Sequence, residues 1–181
     1  MKKIHFILAA LIISMAVSCD KGTQTVNVKR YRIDLPGFLT KTTGLNDAAS
    51  LQYKNEPKEF YVLVIDEPRK TFEDILKENA IGYEPNLEGY SNLLIESLEK
   101  GAAAKEKAVI TDKKINGLNA RVASVTGVVD GIAVFWKIAY VEGKNTYYQV
   151  LCWTLPQKQT EHEPLMDNII NSFKETDKSR K

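Results

Sequence analysis

Two stretches in the C-terminal half are apolar on both sides at strand spacing, and they restrict the possible folds more than anything else in the chain. In the first, Ile132, Val134, Trp136, Ile138 and Tyr140 fall on one side. Ala133, Phe135, Ala139 and Val141 fall on the other, with Lys137 the exception. In the second, Tyr147, Leu151, Trp153 and Leu155 oppose Tyr148, Val150 and Cys152. Successive side chains of a strand point to opposite faces. An antiparallel sheet with one wet face would place polar residues on that face, and these strands do not. Both faces of the sheet must therefore be covered, at least at its centre.

Turn residues set the order of the neighbouring elements. Asn116-Gly117 and Asp130-Gly131 are hairpin signals, so strands over Val109–Ile115, Asn119–Val129 and Ile132–Val141 form a meander. Gly143-Lys144-Asn145 turns into a last strand, Thr146–Leu155, which Pro156 closes. Upstream, Arg30–Leu35 alternates and stops at Pro36-Gly37, and Leu51 and Tyr53 mark a short strand. Phe60–Ile65 is a continuous apolar run ending at Asp66-Glu67-Pro68, as in a strand buried on both faces. Helical spacing appears in Phe72, Ile75 and Leu76 within Thr71–Ala80, and in Leu87, Tyr90, Leu94 and Leu98. Asn86 suits the N-cap of that second helix and Gly101 its stop. Thr160 and Glu163 have the spacing of a capping box, ahead of a stripe of Leu165, Ile169 and Phe173. The expected class is α+β: an antiparallel sheet with helices on both faces, an α/β/α sandwich. Lys174–Lys181 is charged and expected to fray.

The N-terminus carries a different kind of signal. Met1-Lys2-Lys3 precedes an apolar run, Ile4–Ala16, too short for a span of about 20 apolar residues but suited to the h-region of an export signal. The run ends Ala16-Val17-Ser18-Cys19, which resembles the lipobox of bacterial lipoproteins. That resemblance implies cleavage between Ser18 and Cys19, a diacylglyceryl group on the Cys19 sulfur and an acylated new N-terminus. Several acyl chains together hold a protein stably on a membrane. The expected divisions are a signal peptide at 1–18, the lipidated cysteine and a polar tether at 19–28, a domain at 29–175 and a polar tail at 176–181.

Removing the signal changes the charge reading. Lys2 and Lys3 leave with it, so the 25 basic residues fall to 23 and equal the 23 acidic ones. A neutral mature chain argues against nucleic acid as a partner. With Cys19 acylated, Cys152 is the one remaining cysteine of the two, and no internal disulfide can form.

The order of elements over residues 29–175 resembles the PsbP-like family. That group includes an extrinsic photosystem subunit, the DcrB-like envelope lipoproteins of bacteria and a eukaryotic nuclear-import factor. The residues carrying the resemblance are Tyr31-Arg32-Ile33-Asp34-Leu35-Pro36, Ile115-Asn116-Gly117, Tyr147–Leu155 and Asn168-Ile169-Ile170-Asn171-Ser172-Phe173. It implies accessory or binding roles, and it supplies no catalytic residues. Function resides in sites and not in folds, so a photosynthetic role does not follow.

The remaining candidates for chemistry have simpler readings. Cys152 has no adjacent activating partner and reads as a buried thiol. Glu161-His162-Glu163 lacks the further ligands zinc needs. Asp66-Glu67 and Glu73-Asp74 read as loop and capping acids, not as acid–base pairs. Lys100, Lys105, Lys107, Lys113 and Lys114 are diluted by Glu99, Glu106 and Asp112 and read as a solvated surface. The sequence thus points to a non-enzymatic, membrane-anchored lipoprotein of the cell envelope, with no cofactor or metal. It would bind an envelope protein or assist an assembly. The alternative is a lipid or small-molecule binder using a cleft between sheet and helices.

Overall fold

In the computed structural model, which describes residues 22–79 and 82–176, the stretches apolar on both sides lie inside a seven-stranded antiparallel sheet. Its chain-order members are β3 (Thr40–Lys41), β4 (Ala49–Asn55), β5 (Phe60–Pro68), β6 (Val109–Ile115), β7 (Leu118–Val129), β8 (Ile132–Glu142) and β9 (Thr146–Thr154). Their spatial order is β3-β4-β5-β9-β8-β7-β6. The two hairpins form as expected. Asn116 and Gly117 have φ +47° and +88°, and Asp130 and Gly131 have +51° and +80°. These left-handed pairs match the right-handed twist of the flanking strands.

The alternation on β8 and β9 divides the core as the sequence implies. On one face, Ala123, Val125, Trp136, Ile138, Tyr140 and Tyr147 pack against α1 (Arg69–Glu78) and α2 (Leu87–Gly101), which contribute Phe72, Leu76, Tyr90 and Ile95. On the other, Val62, Val64, Ala139, Val150 and Cys152 meet Met166, Ile169 and Ile170 of α3 (Gln159–Ser172), with Phe173 just beyond it. Lys137, the exception on β8, faces α3. Its Nζ lies 3.0 Å from Glu163 Oε1 and 2.7 Å from Asp167 Oδ1.

The α3 face has a second cover that the sequence reading did not include. Residues 23–28, expected to be tether, form β1 (Thr23–Val28), paired antiparallel with β2 (Tyr31–Pro36) from Thr23↔Pro36 to Val28↔Tyr31. Lys174 and Glu175, expected to fray, form β10 on the other side of β2. Tyr31, Ile33 and Leu35 of this three-stranded sheet enter the same core as α3. The composition of β1 is polar because its side chains alternate between exposed and half-buried.

Helix ends explain the other departures. Asn86 caps α2 as expected, accepting from the Gly89 N–H at 2.9 Å. The left-handed position after α2 falls on Ala103 (φ +44°), not on Gly101, which stays helical. The Ala102 carbonyl accepts from the Val128 N–H, and a Cβ on Gly127 would collide with it. The capping box does not form. A 3₁₀ turn at Pro156–Lys158 leads straight into α3, so Thr160 lies inside the helix and Lys158 holds the cap position with no side-chain bond.

Candidate functional site

Ser18 and Cys19 lie outside the described residues, as does the tail from residue 177. The described residues begin at Gly22, whose carbonyl accepts from the Gly37 N–H at 2.6 Å. The Asn55 side chain donates to the Phe38 carbonyl at 2.8 Å, which ties this corner to the β4–β5 turn. The chain therefore enters at the end of the large sheet that carries the β4–β5 turn and the β7–β8 hairpin tip.

A groove of about 740 Å³ opens beside Gly22, between the small sheet and α3. Phe38, Leu165 and Ile169 give it apolar walls, and Thr23, Asp34, Lys58, Asn168 and Ser172 its polar groups. Its size is that of a small-molecule site, and three of its polar side chains already have partners within the fold. Asp34 Oδ1 accepts from Thr25 at 2.6 Å, and the Ser172 hydroxyl donates to the Ile169 carbonyl at 2.6 Å. Lys58 Nζ stands 5.1 Å above the Phe38 ring. The groove lies between the small sheet and α3, while the large sheet meets the helices through the two apolar cores.

The candidates for chemistry are not brought together. Cys152 is fully buried on β9, and burial pushes its thiol well above the usual range. His162 is buried edge-on to Phe60, with Nε2 3.0 Å from the Lys58 carbonyl oxygen. Glu163 points instead at Lys137. Burial alone would raise the Glu163 carboxyl, but the hydrogen bonds from Gln159 and Lys137 and the lysine charge outweigh it and hold it below its ordinary value. Asp66 and Glu67 are not loop residues, because β5 continues to Pro68. As neighbours in a strand they point to opposite faces and cannot share a proton. Glu73 and Asp74 do not cap α1, whose first turn holds no acid; Asp74 pairs with Lys70 at 2.9 Å. Of the lysines, Lys107 pairs with Glu99 and Lys113 donates to Asn171. Among the described residues no three His, Cys, Asp or Glu side chains are grouped to hold a metal.

Among the polar arrangements that no local sequence pattern marks are the bonds of Arg121 to the Glu88 carbonyl, Ser91, Asn92 and Asp112 and two others. Under α2, Gln149 Nε2 donates to the Tyr90 hydroxyl at 2.9 Å, which donates to Glu67 Oε2 at 3.2 Å. Beside β10, Glu175 accepts from the Tyr148 hydroxyl and the Lys144 N–H, and Gly143 leaves the room for it. Both join residues far apart in sequence, so no local pattern announces them. Both act as structural ties between elements.

The architecture is therefore an antiparallel sheet flanked by helices, the PsbP-like fold. Comparison with solved structures supports this. The solution structure of cyanobacterial PsbP (CyanoP) from Synechocystis sp. PCC 6803 superposes with a TM-score of 0.57 at 11% identity, covering 91% of this chain and 98% of that one. The Ran-binding protein Mog1p of Saccharomyces cerevisiae superposes with a TM-score of 0.56 at 10% identity, over 86% of this chain and 96% of that one. No protein-family model matches the sequence, and no curated protein matches it. Among the described residues no helix is long and apolar enough to cross a membrane.

Proposed function

We propose that this chain is a lipoprotein of the bacterial cell envelope, held by acyl chains on Cys19, with a non-enzymatic binding or assembly-accessory domain outside the cytoplasm. The observation that carries the reading is the ordered signal ending Ser18-Cys19, followed within a few residues by the first strand of the fold. Mog1p, which has this fold, is a Ran-binding protein, and that supports a binding role for the domain. The scattered placement of Cys152, His162 and the acid pairs supports a role without catalysis.

The test compares the wild type with Cys19→Ala in the native host. Wild type is expected in the membrane fraction with acyl mass on Cys19, and the variant as an unacylated precursor. Wild type without acyl mass on residue 19, or a variant cleaved after Ser18 like wild type, would overturn the anchor. Cross-linking in the same cells, read by mass spectrometry, is expected to capture a discrete envelope protein with the anchored form. A second reading, binding of a lipid or small molecule, has the groove beside Gly22 in its favour. Native mass spectrometry of the purified protein would reveal it as a copurifying ligand.

A further inference from the structure

Exposed aliphatic side chains are concentrated at the end of the sheet where the chain enters. Val128, Val129 and Ile132 at the β7–β8 tip are 39%, 41% and 58% exposed, and Val109 at the start of β6 is 71% exposed. The last β8–β9 pair is Phe135↔Thr154. The tip therefore projects about three residues, or roughly 10 Å, beyond β9. Below it on the α3 face, Val109, Val128, Ala133 and Phe135 wall a hollow of about 520 Å³, which α3 begins too late to cover.

The chain outside the fold identifies what covers this surface. From Cys19 to Gly22 the backbone reaches at most about 11 Å. That is close to the projection of the tip, and the β4–β5 turn, to which the Gly22 corner is tied, lies about three strand spacings from the tip, roughly 15 Å along the large sheet. A domain tied so closely to its lipid brings this end of the sheet to the bilayer. We propose that the β7–β8 tip, with Val129 and Ile132 leading, dips into the lipid surface that holds the Cys19 acyl chains, and so fixes the domain's orientation. This rests on the anchor reading given above. Glu106 lines the hollow beside Lys105 and Lys107, Lys107 is paired with Glu99, and Asp130 occupies the hairpin turn, so the contact is apolar in origin and not an attraction to anionic headgroups. Isolated from its anchor, so small an apolar surface binds weakly; the tether supplies the effective concentration that makes it count.

The experiment uses full-length chain processed in a bacterial host and reconstituted in vesicles of phosphatidylethanolamine and phosphatidylglycerol containing a nitroxide-labelled acyl chain. A fluorophore is placed on the Ile132→Cys variant, and for comparison on Lys114→Cys, at the far end of the sheet and about 30 Å away. Cys152 is buried and does not compete for label. Several-fold stronger quenching at position 132 than at 114 is the expected result. Equal, weak quenching at both positions, with Cys19 shown by mass to be acylated, would overturn the inference and leave the anchor standing. An unmodified Cys19 would overturn both. A blue shift at position 132 that depends on protein concentration and not on vesicles would overturn it by assigning the tip to a second copy.

Discussion

The two faces of the large sheet are covered in different ways. The α1/α2 cover is one contiguous piece, residues 69–101, inserted between β5 and β6. The opposite cover is assembled from both ends of the described chain: β1 and β2 come before the large sheet, α3 and β10 after it. The first cover meets the sheet through rings and a polar thread, with Tyr90 stacked on Tyr147 at 4.4 Å and edge-on to Phe72 at 5.2 Å. The second also has a ring cluster, with Phe173 5.2 Å from Tyr31 and 4.9 Å from Tyr148, but its polar ties, Lys137 to Glu163 and Asp167 and Tyr148 to Glu175, run to segments at the C-terminal end of the described chain. The α1/α2 cover is thus closed by a segment local in sequence, whereas the α3 face closes only when segments distant in sequence meet.

The largest test of that difference is Phe173→Ala. It removes a fully buried ring where β2, β9 and the end of α3 converge, and should cost about 3–5 kcal/mol. Urea unfolding measures it, and a loss under about 1 kcal/mol would show that the site collapses around the gap. Tyr90→Phe keeps the ring but strips the hydroxyl between Gln149 and Glu67. It should cost about 1–3 kcal/mol for the polar groups left unpaired. Hydrogen exchange should show faster opening confined to α1 and α2; equal acceleration in α3 would break the comparison.

A smaller effect separates charge from packing on the α3 face. Burial opposes the charge on Lys137, but its bonds to Asp167 and Glu163 prevail and raise its pKa. Glu163 is held low in turn, so the pair's contribution is complete above the ordinary glutamate value of about 4.3 and is lost as pH falls through the lowered value. Lys137→Met should cost at most about 1 kcal/mol near neutrality, and its difference from wild type should shrink on acidification. A gap in urea midpoints that does not change with pH would assign the cost to packing alone. The smallest effect is a gain: Ala103→Gly relieves a left-handed alanine and should stabilise by about 0.5–1 kcal/mol in thermal unfolding.

The legible parts of the fold were those whose partners are near in sequence or whose pattern repeats. The two-faced alternation of β8 and β9 placed each side chain on its correct face, and Asn116-Gly117 and Asp130-Gly131 located both hairpins. β1 was missed because Thr-Gln-Thr-Val-Asn-Val is polar, and because Lys29-Arg30, the turn joining it to β2, contains neither glycine nor asparagine. The signal in favour of a strand was there in the alternation of Thr25 with Val26 and of Asn27 with Val28. Lys137 was conspicuous as the exception on its face, yet its partners Glu163 and Asp167 belong to another element, beyond the reach of local periodicity. The groove beside Gly22 was illegible for the same reason, since β2 and α3 meet only after the whole sheet has intervened.

The pairing of β1 with β2 also has a mechanical consequence. Gly22 sits at the open end of a six-pair antiparallel ladder. A pull on the chain there, directed along β1 and away from the domain, loads those pairs in shear. They resist together and do not unzip one after another. A force applied at this end of the chain is therefore met first by the whole length of the small sheet's hairpin, before it reaches the large sheet.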